Sequence, residues 1–401
     1  MKISIIGQGY VGLTISAFAA EKHQVVGFDK NSTVVERLNQ GISHIEGVDS
    51  AVIKDLLSRG NFIASSAASD VRGSDIVVIA VPTPLDSNRK PDLSYIDSAC
   101  KVIGENLDAP ALIINESTSY PGTIRDYIKP TIEKYSKTKL AHEYAISPER
   151  VDPGRVEWNQ KNTPRLFAGL TPEATRRTRE FYATFCDNLV EVSSPEVAEA
   201  AKLFENTFRQ VNIALVNELA QISHALGIDV RETLDAANTK PYGFMKFTPS
   251  AGVGGHCIPV DPSYLAHLAL ENGVRATFIE RANEVNLEMP TYIAKRVASD
   301  NGGSLKGKKV LVVGVAYKPN VADTRETPAE HLIEALNEMG ADVAWSDEVV
   351  VSWKGQSSSA LNGADIAIVV TKHDVVSSEA ILKAAPYVFD TTGVVKGAVQ
   401  L

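Results

Sequence analysis

Gly7-Gln8-Gly9-Tyr10-Val11-Gly12 sets the architecture of the first part of this chain. A short apolar run, Lys2 to Ile6, comes directly before this stretch, and Leu13 to Ala20, with helical apolar periodicity, comes directly after it. A second strand-like run, Gln24 to Phe28, ends at Asp29. Strand, GxGxxG, helix, strand and acid in this order are the pattern of a dinucleotide-binding unit, so we predict nucleotide binding here.

Each residue of this pattern has a physical task in binding a dinucleotide. Gly7 allows the tight turn, Gly9 lets the backbone approach the pyrophosphate, and Gly12 lets helix and strand pack closely. The helix N-terminus offers N–H groups to the phosphates. We expect Asp29 to bind the ribose hydroxyls and to repel a 2′-phosphate, which favours NAD over NADP, while Lys30 beside it acts the other way.

The composition of the chain limits the classes of protein to which it can belong. The chain has 401 residues, 44% of them hydrophobic, which suits a large core and two or three domains. The net charge of −9 and the lack of a Lys/Arg-rich run argue against nucleic acid and anionic membranes as partners. Three cysteines without CxxC spacing suggest neither a disulfide framework nor a metal site. Without a signal-peptide pattern or an apolar run of membrane-spanning length, we expect a cytoplasmic protein.

Three further apolar runs, residues 75–81, 111–115 and 140–146, are typical of buried parallel strands. Ligands of doubly wound sheets bind at the carboxyl ends of the strands. These runs end in Pro82-Thr83-Pro84, Glu116-Ser117-Thr118 and Ser147-Pro148-Glu149-Arg150. Capping of a helix or turn is the alternative explanation for Thr83 and Thr118.

A long helix is predicted from Pro195 to Leu226. Its apolar residues recur every three or four positions: Val197, Ala201, Phe204, Phe208, Val211, Leu215, Leu219, Ile222 and Leu226. At 1.5 Å per residue this helix is about 45 to 50 Å long, which suits a spine between two domains or a dimer contact. Lys202 and Asn206 lie one turn apart on it, and most such pairs are simply solvated.

A second, smaller parallel α/β domain is predicted from about Ser304 to the end of the chain. Its first strand, Lys309 to Val313, is followed by a loop without the GxGxxG pattern, and Lys318 and Arg325 lie on that loop. Either could be surface charge. Residues 349–359 read as a polar, irregular excursion. We therefore predict domains over residues 1–192, 193–303 and 304–401.

One cysteine lies among glycines in the stretch from Gly252 to Asp261, which reads Gly-Val-Gly-Gly-His-Cys-Ile-Pro-Val-Asp. Glycines let a backbone approach a ligand closely, and a thiolate can form a covalent intermediate. A buried structural cysteine on a tight turn is the alternative. The flanking Gly-Gly-His and Val-Asp-Pro favour a reactive Cys257, because a core cysteine needs neither.

Together these motifs resemble the UDP-glucose/GDP-mannose dehydrogenase family, the nucleotide-sugar 6-dehydrogenases, over nearly the whole chain. The resemblance rests on residues 7–12, 82–84, 116–118, 147–150, Lys202 with Asn206, 252–262 and 314–326. Residues 116–123, 150–154 and 239–244 are most similar to the UDP-N-acetylhexosamine branch, above all to UDP-N-acetylglucosamine 6-dehydrogenases. Ser250-Ala251 replaces a frequent Gly-Pro, and Pro153 stands where UDP-glucose enzymes often have a glutamate.

The resemblance implies an α/β fold with two Rossmann-like parallel-sheet domains joined by a long central helix, and a homodimer or higher homo-oligomer. It implies oxidation of a sugar C6 alcohol to a carboxylate with two NAD⁺, for surface polysaccharide synthesis. Cys257 would attack the aldehyde to give a thiohemiacetal, whose oxidation yields a thioester. An aldehyde without the thiol would need hydration before losing a second hydride.

The resemblance also assigns roles to residues. Lys202 and Asn206 would stabilise the developing oxyanion, and Asp261 would organise a water or proton relay. Glu149 would activate water against the thioester, with Thr118 positioning that water. The residues implied at the cofactor are Gly7, Gly9, Tyr10, Val11, Gly12, Asp29, Thr83, Thr118 and Arg325. Those implied at the UDP-sugar are Glu149, Lys202, Asn206, Gly254 and Lys318. His256 is assigned no role.

Other activities fit parts of this pattern. A two-electron dehydrogenase of the 6-phosphogluconate or 3-hydroxyacid type would share the domain layout and need no cysteine. A nucleotide-binding protein without catalysis would not need Lys202, Asn206, Cys257 and Asp261 together. The three activities differ in the number of cofactor molecules reduced per substrate: two for the 6-dehydrogenase, one for the two-electron dehydrogenase and none for the binding protein. Within the family, UDP-glucose and UDP-N-acetylmannosamine are the alternative substrates.

Overall fold

The computed structural model describes residues 1–45, 47–151, 157–255 and 257–401. These divide into two compact units, residues 1–205 and 206–401. The predictions made at Pro153 and His256 lie outside the described residues. The domain boundaries predicted after residues 192 and 303 stay predictions.

The first unit is built on an eight-stranded sheet with the order β3-β2-β1-β4-β5-β6-β7-β8. Its strands are β1 (Lys2–Ile6), β2 (Gln24–Phe28), β3 (Phe62–Ser65), β4 (Ile76–Ile79), β5 (Leu112–Asn115), β6 (Glu143–Ile146), β7 (Arg165–Gly169) and β8 (Leu189–Glu191). All neighbours are parallel except β6 and β7. The first six strands follow the order of a dinucleotide-binding sheet.

Helices cover both faces of this sheet, which explains why its central strands are apolar throughout. They are α1 (Tyr10–Ala20), α2 (Ser32–Asn39), α3 (Ser50–Ser58), α4 (Ser94–Asn106), α5 (Lys129–Tyr135) and α6 (Pro172–Tyr182), with a 3₁₀ turn at Ala68–Val71 and a π-helix at Thr123–Ile128. Val78 of β4 shares a buried cluster with Leu13 of α1, whereas the adjacent Val77 shares one with Ile103 of α4. Each such buried side chain contributes about 1.5–3 kcal/mol.

Helix α7 (Pro195–Leu226) has the predicted bounds, beginning in the first unit and ending in the second. Several of its large apolar side chains do not pack in the core: Phe204, Leu215 and Leu226 are 63%, 63% and 67% exposed, whereas Leu203 is fully buried. The buried face also carries amides. Asn217 donates to Asn286 Oδ1 at 3.0 Å and accepts from the Ser250 N–H at 2.8 Å.

The second unit contains a five-stranded parallel sheet with the order β10-β9-β13-β14-β15. The strands of the second unit, of which β11 and β12 lie outside this sheet, are β9 (Lys309–Val313), β10 (Asp342–Ser346), β11 (Ser352–Trp353), β12 (Gln356–Ser357), β13 (Ile366–Val369), β14 (Tyr387–Asp390) and β15 (Val399–Gln400). Its remaining helices are α8 (Val230–Asn238), α9 (Asp261–Glu271), α10 (Thr277–Asp300), α11 (Pro328–Glu338) and α12 (Ser378–Ala384). None of the helices in the described residues has the length and apolarity needed to cross a bilayer.

The prediction of an irregular excursion at residues 349–359 was wrong in part. This segment contains a small antiparallel hairpin formed by β11 and β12. Lys354 and Gly355 form its turn with φ angles of 50° and 76°. Two positive φ angles are typical of a two-residue hairpin turn, but lysine is an unusual residue in the first position, so the sequence carries no clear signal.

Candidate active site

The glycine loop after β1 has the geometry of a phosphate-binding turn. Gly7 has a φ of 95°, and a Cβ there would collide with the Ala80 carbonyl, while a Cβ at Gly12 would collide with the Gly7 carbonyl. A Cβ at Gly9 would meet no atom within 4 Å. Gly9 is the N-cap of α1 and has no side chain that could occupy the helix N-terminus. The first turn of α1 also contains no acidic residue. Open space and a positive helix end together fit a bound pyrophosphate.

Asp29 lies beside this loop because β1 and β2 are parallel neighbours. Its carboxylate accepts the Gln8 N–H at 2.8 Å and the Asn31 N–H at 2.9 Å. These two bonds fix the carboxylate next to the turn, where the adenosine ribose binds in dinucleotide sites.

We expect the protein to use NAD⁺ with a kcat/KM about 100-fold above that for NADP⁺, because a 2′-phosphate would meet the Asp29 carboxylate. Steady-state kinetics with both cofactors measure this ratio. Asp29→Ala should lower the ratio. Asp49→Ala is a matched control, since Asp49 also accepts a backbone N–H, from Ala51 at 2.9 Å. Equal kcat/KM values in the wild type would contradict a ribose contact by Asp29.

Two loops at the carboxyl ends of β4 and β5 are joined by one side chain. Ser117 Oγ accepts the Val81 N–H at 2.9 Å and donates to the Val81 carbonyl at 2.8 Å. The structure thereby brings together the loops that carry Thr83, which is buried, and Thr118, which is half-buried.

A buried carboxylate on α7 supports the segment after Thr118. Glu199 accepts the Gly122 N–H at 2.7 Å and the Ile124 N–H at 3.3 Å, and Ser119 donates to it at 3.2 Å. Burial raises the pKa of Glu199 to about 8. Glu199 was not predicted from the sequence, because spacing does not show which helix residue faces a distant loop.

Glu149 is buried after β6 with donors on both carboxylate oxygens. Its Oε1 accepts the N–H groups of Arg150 at 2.7 Å and Val151 at 2.5 Å. Its Oε2 accepts from the Gln160 side-chain amide and lies 3.6 Å from Arg165 Nη2. The carboxylate is therefore held in one orientation.

Arg165 and Glu116 adjoin Glu149 and were not predicted as site residues. Arg165 Nη1 lies 2.9 Å from Glu116 Oε1, which also accepts from the Tyr182 hydroxyl. The guanidinium stacks on the Tyr182 ring at 4.4 Å from its centroid. Burial raises the pKa of Glu116 to about 7. The sequence placed Glu116 at the carboxyl end of a strand, but it carried no signal that Arg165 lies beside it.

In the second unit, three predicted catalytic residues lie together. Asn206 Nδ2 donates to Asp261 Oδ2 at 2.5 Å, and both side chains are buried. The Asp261 N–H donates to the Cys257 carbonyl at 2.8 Å. Cys257 is half-buried and forms no disulfide. Lys202 is half-buried one turn before Asn206 on α7.

The glycines before Cys257 serve packing within the second unit. A Cβ at Gly254 would lie 2.8 Å from Tyr317 Cβ and 2.9 Å from Pro328 Cδ. The Gly255 N–H donates to the Arg325 carbonyl at 3.0 Å. These contacts alone explain why both positions are glycine. The sequence analysis instead attributed the glycines to the close approach of a ligand. The assignment of Gly254 to the substrate stays a prediction.

Arg325 lies near the cysteine. Its guanidinium binds both oxygens of Asp323, with Nε at 3.0 Å from each. Its pKa is raised by this bond and, further, by the charges of Asp323 and Cys257. A cation close to a thiol favours the thiolate.

The loop that carries Lys318 is anchored at the carboxyl end of the second sheet. The Asn320 N–H donates to His373 Nδ1 at 2.8 Å, and His373 Nε2 lies 3.1 Å from Asp347. Asp347 also accepts the Val315 and Ala316 N–H groups at 2.8 and 3.2 Å. The Asp347 carboxylate thus fixes the start of the loop after β9, as Asp29 fixes the loop after β1 through the Gln8 N–H.

Comparison with known proteins assigns these units to a family. Three models of the UDP-glucose/GDP-mannose dehydrogenase family match the chain: the NAD binding domain at residues 1–186, the central domain at 196–288 and the UDP binding domain at 311–397. The chain belongs to this family. The NAD-binding model confirms the predicted cofactor, and the predicted α/β fold with two parallel sheets is confirmed as well.

Similar proteins include two bacterial relatives and one archaeal protein with a solved structure. Protein CapL of Staphylococcus aureus is 37% identical over 351 residues, 86% of this chain and 81% of CapL. UDP-N-acetyl-D-glucosamine 6-dehydrogenase of Pseudomonas aeruginosa is 35% identical over 349 residues, 86% and 82% of the two chains. The structure of UDP-D-ManNAc dehydrogenase from Pyrococcus horikoshii superposes with a TM-score of 0.89 at 32% identity, covering 100% and 98%. This member of the dehydrogenase family is an NAD-dependent UDP-sugar 6-dehydrogenase.

Proposed function

We propose that this dehydrogenase oxidises the C6 hydroxymethyl group of UDP-N-acetylglucosamine to the carboxylate, in the cytoplasm, for surface polysaccharide synthesis. The contact between Asn206 and Asp261 supports this proposal most strongly, because the Asp261 N–H also bonds to the carbonyl of Cys257. A two-electron dehydrogenase has no use for a thiol beside a buried, hydrogen-bonded carboxylate. NAD⁺, when bound, accepts one hydride in each of the two oxidations.

Cys257 holds the substrate between the two oxidations. Its thiolate adds to the aldehyde carbon, and the carbonyl oxygen takes up a proton to give a thiohemiacetal that still carries a hydride. Loss of that hydride and of the hydroxyl proton leaves a thioester. Water then adds to the thioester carbon, the C–S bond breaks, and the carboxylate and the thiolate are released.

Asn206 and Lys202 stabilise the negative oxygen that forms when the thiolate attacks. The Asn206 amide is oriented by Asp261, so its donor group is fixed before the substrate arrives. Asp261 lies in the first turn of α9, where the helix dipole stabilises a negative charge. We assign Asp261 to the proton relay and Glu149, with Thr118, to the activation of water for hydrolysis.

Lys318 contacts the diphosphate, while Arg325 serves the cofactor side and Cys257. Lys318→Ala should raise the KM for the UDP-sugar about tenfold and change the KM for NAD⁺ little, because a charged hydrogen bond to phosphate is lost. Steady-state kinetics measure both constants, with Lys308→Ala as an exposed control from the same domain. Equal changes in both KM values, or none, would place Lys318 on the surface.

UDP-N-acetylmannosamine is the second candidate substrate, since the similar Pyrococcus protein is a dehydrogenase of that sugar. A panel of UDP-GlcNAc, UDP-ManNAc, UDP-GalNAc and UDP-glucose tests the choice by NADH formation and product mass. We expect UDP-GlcNAc to give the highest kcat/KM and a product heavier by the exchange of CH₂OH for COOH. Preference for UDP-glucose would overturn the assignment to N-acetylhexosamines.

We propose that the exposed stripe of α7 pairs with its copy in a homodimer. Phe204, Leu215 and Leu226 are each more than half exposed along this helix. Contiguous exposed apolar surface typically marks an interface.

Light scattering should give twice the chain mass of 43.2 kDa. Leu215→Glu should give a monomer, because burying a charge in an apolar interface is costly. Val375→Glu is the control, since Val375 is 72% exposed in the same unit and outside the stripe. A wild-type monomer would refute the pairing.

A further inference from the structure

The topology of the first sheet brings three charged side chains to one point. β7 runs antiparallel to β6, with Ile146 opposite Ala168, so Arg165 at the start of β7 lies beside the segment that follows β6. Glu116 follows β5, the parallel neighbour of β6. Glu149 follows β6. The same buried region therefore receives one charge from each of three segments: the segment after β5, the segment after β6 and the start of β7.

The contacts within this cluster are direct. Arg165 Nη1 donates to Ser147 Oγ at 3.1 Å and lies 2.9 Å from Glu116 Oε1, while its Nη2 lies 3.6 Å from Glu149 Oε2. Gln160 connects the two groups, since its amide donates to Glu149 and its carbonyl accepts from Arg165 Nη2. The side chains of Arg165, Glu116 and Glu149 are only 4%, 0% and 11% exposed.

One buried cation thus faces two carboxylates. The groups that face Glu116 are Arg165 from β7, Glu149 from the segment after β6, and the Tyr182 hydroxyl from α6. Cys186, after α6, also faces Arg165. Glu116 Oε2 has no hydrogen-bond partner among the described residues, although it is buried. Because burial raises the pKa of Glu116 to about 7, its charge changes within the working pH range of an enzyme.

We propose that Arg165 and Glu116 are positioning residues for Glu149: Arg165 orients its carboxylate, and the charge of Glu116 sets the pH range in which it activates water. The inference rests on the proposed function, because it needs Glu149 as the hydrolytic base. An ionised Glu116 holds Arg165 at Nη1, so the Glu149 carboxylate is left to take a proton from water. A neutral Glu116 leaves Arg165 to Glu149 alone, and the guanidinium then occupies the Glu149 oxygen that faces it.

Glu116→Gln tests the charge of Glu116. The glutamine carbonyl can still accept from Arg165 and Tyr182, but the negative charge is gone. Breakdown of the Cys257 thioester is followed across pH by intact mass of quenched single-turnover samples. We expect the wild-type rate to rise with pH around 7, where Glu116 gains its charge, and this rise to be absent in the variant. The same rise around pH 7 in the folded variant would overturn the role of Glu116.

Glu173→Gln is the matched control for this experiment. Glu173 is exposed and also pairs with an arginine, Arg176, at 2.6 Å. Its substitution should leave the rise in rate around pH 7 in place. Loss of that rise in the control as well would show an effect of net charge alone and would also overturn the proposal.

Arg165 variants test the orientation of Glu149. Arg165→Met should slow thioester hydrolysis about tenfold more than it slows the burst of two NADH, and Arg165→Lys should recover part of that loss. The double variant Glu116→Gln/Arg165→Met also removes the charge of Glu116, so this fully buried carboxylate is not left without its cation if Arg165→Met fails to fold. Equal slowing of burst and hydrolysis in the folded variant would mean a structural role only. A wild type without any NADH burst would refute the proposed function itself.

Discussion

Cys257→Ser should reduce formation of the sugar acid by about three orders of magnitude, the largest loss expected from any single change. A serine hydroxyl is a poor nucleophile without a dedicated base, whereas the thiol lies close to the Arg325 cation. Product mass spectrometry and NADH absorbance measure the loss. Calorimetric titration with the UDP-sugar should show binding largely intact, because the substitution removes only the covalent step.

The two other cysteines are controls for this experiment. Cys100 and Cys186 are buried, and burial raises the pKa of their thiols to about 12 and about 11. Such thiols are inert at neutral pH. Cys100→Ser and Cys186→Ser should keep acid production in the folded fraction. Acid production by Cys257→Ser at the wild-type rate would rule out the covalent mechanism.

Glu149→Gln should trap the enzyme as the thioester, with hydrolysis slowed about 100-fold to 1,000-fold. The glutamine carbonyl can still accept the N–H groups of Arg150 and Val151, but it cannot take a proton from water. Intact mass of the protein after mixing with substrate and NAD⁺ should show the sugar attached to Cys257. Two NADH should form per site in a burst, followed by slow turnover.

Glu205→Gln is the neighbouring control for Glu149. Glu205 pairs with Arg150 at 2.6 Å but has no assigned role in the reaction. This variant should hydrolyse the thioester at close to the wild-type rate. If Glu149→Gln also does so, another group activates the water.

Local sequence patterns predicted most of the fold. Two elements are encoded by residues only a few positions apart: the GxGxxG turn at residues 7–12 and helix α7 at Pro195–Leu226. The spacing of these residues was therefore enough to predict both. Continuous apolar runs predicted the central strands, because strands covered on both faces need no polar side. The hairpin turn at Lys354 was missed, since its positive φ has no signal in the residue type.

Contacts between distant residues could not be predicted from spacing. Arg165 meets Glu116 across 49 positions only because β7 turns antiparallel to β6, and no local pattern encodes that reversal. Asn206 meets Asp261 across 55 positions for the same kind of reason. The resemblance supplied Asn206 and Asp261, because both lie in motifs. It did not supply Arg165, which lies in none.

The number of NADH molecules formed per sugar acid tests the central claim most directly. The purified protein is incubated with limiting UDP-GlcNAc and excess NAD⁺, NADH is counted by absorbance, and the product is identified by mass. A four-electron oxidation in which the sugar stays bound to Cys257 predicts two NADH per UDP-sugar acid. One NADH per substrate, with an aldehyde or ketone as the final product, would contradict it.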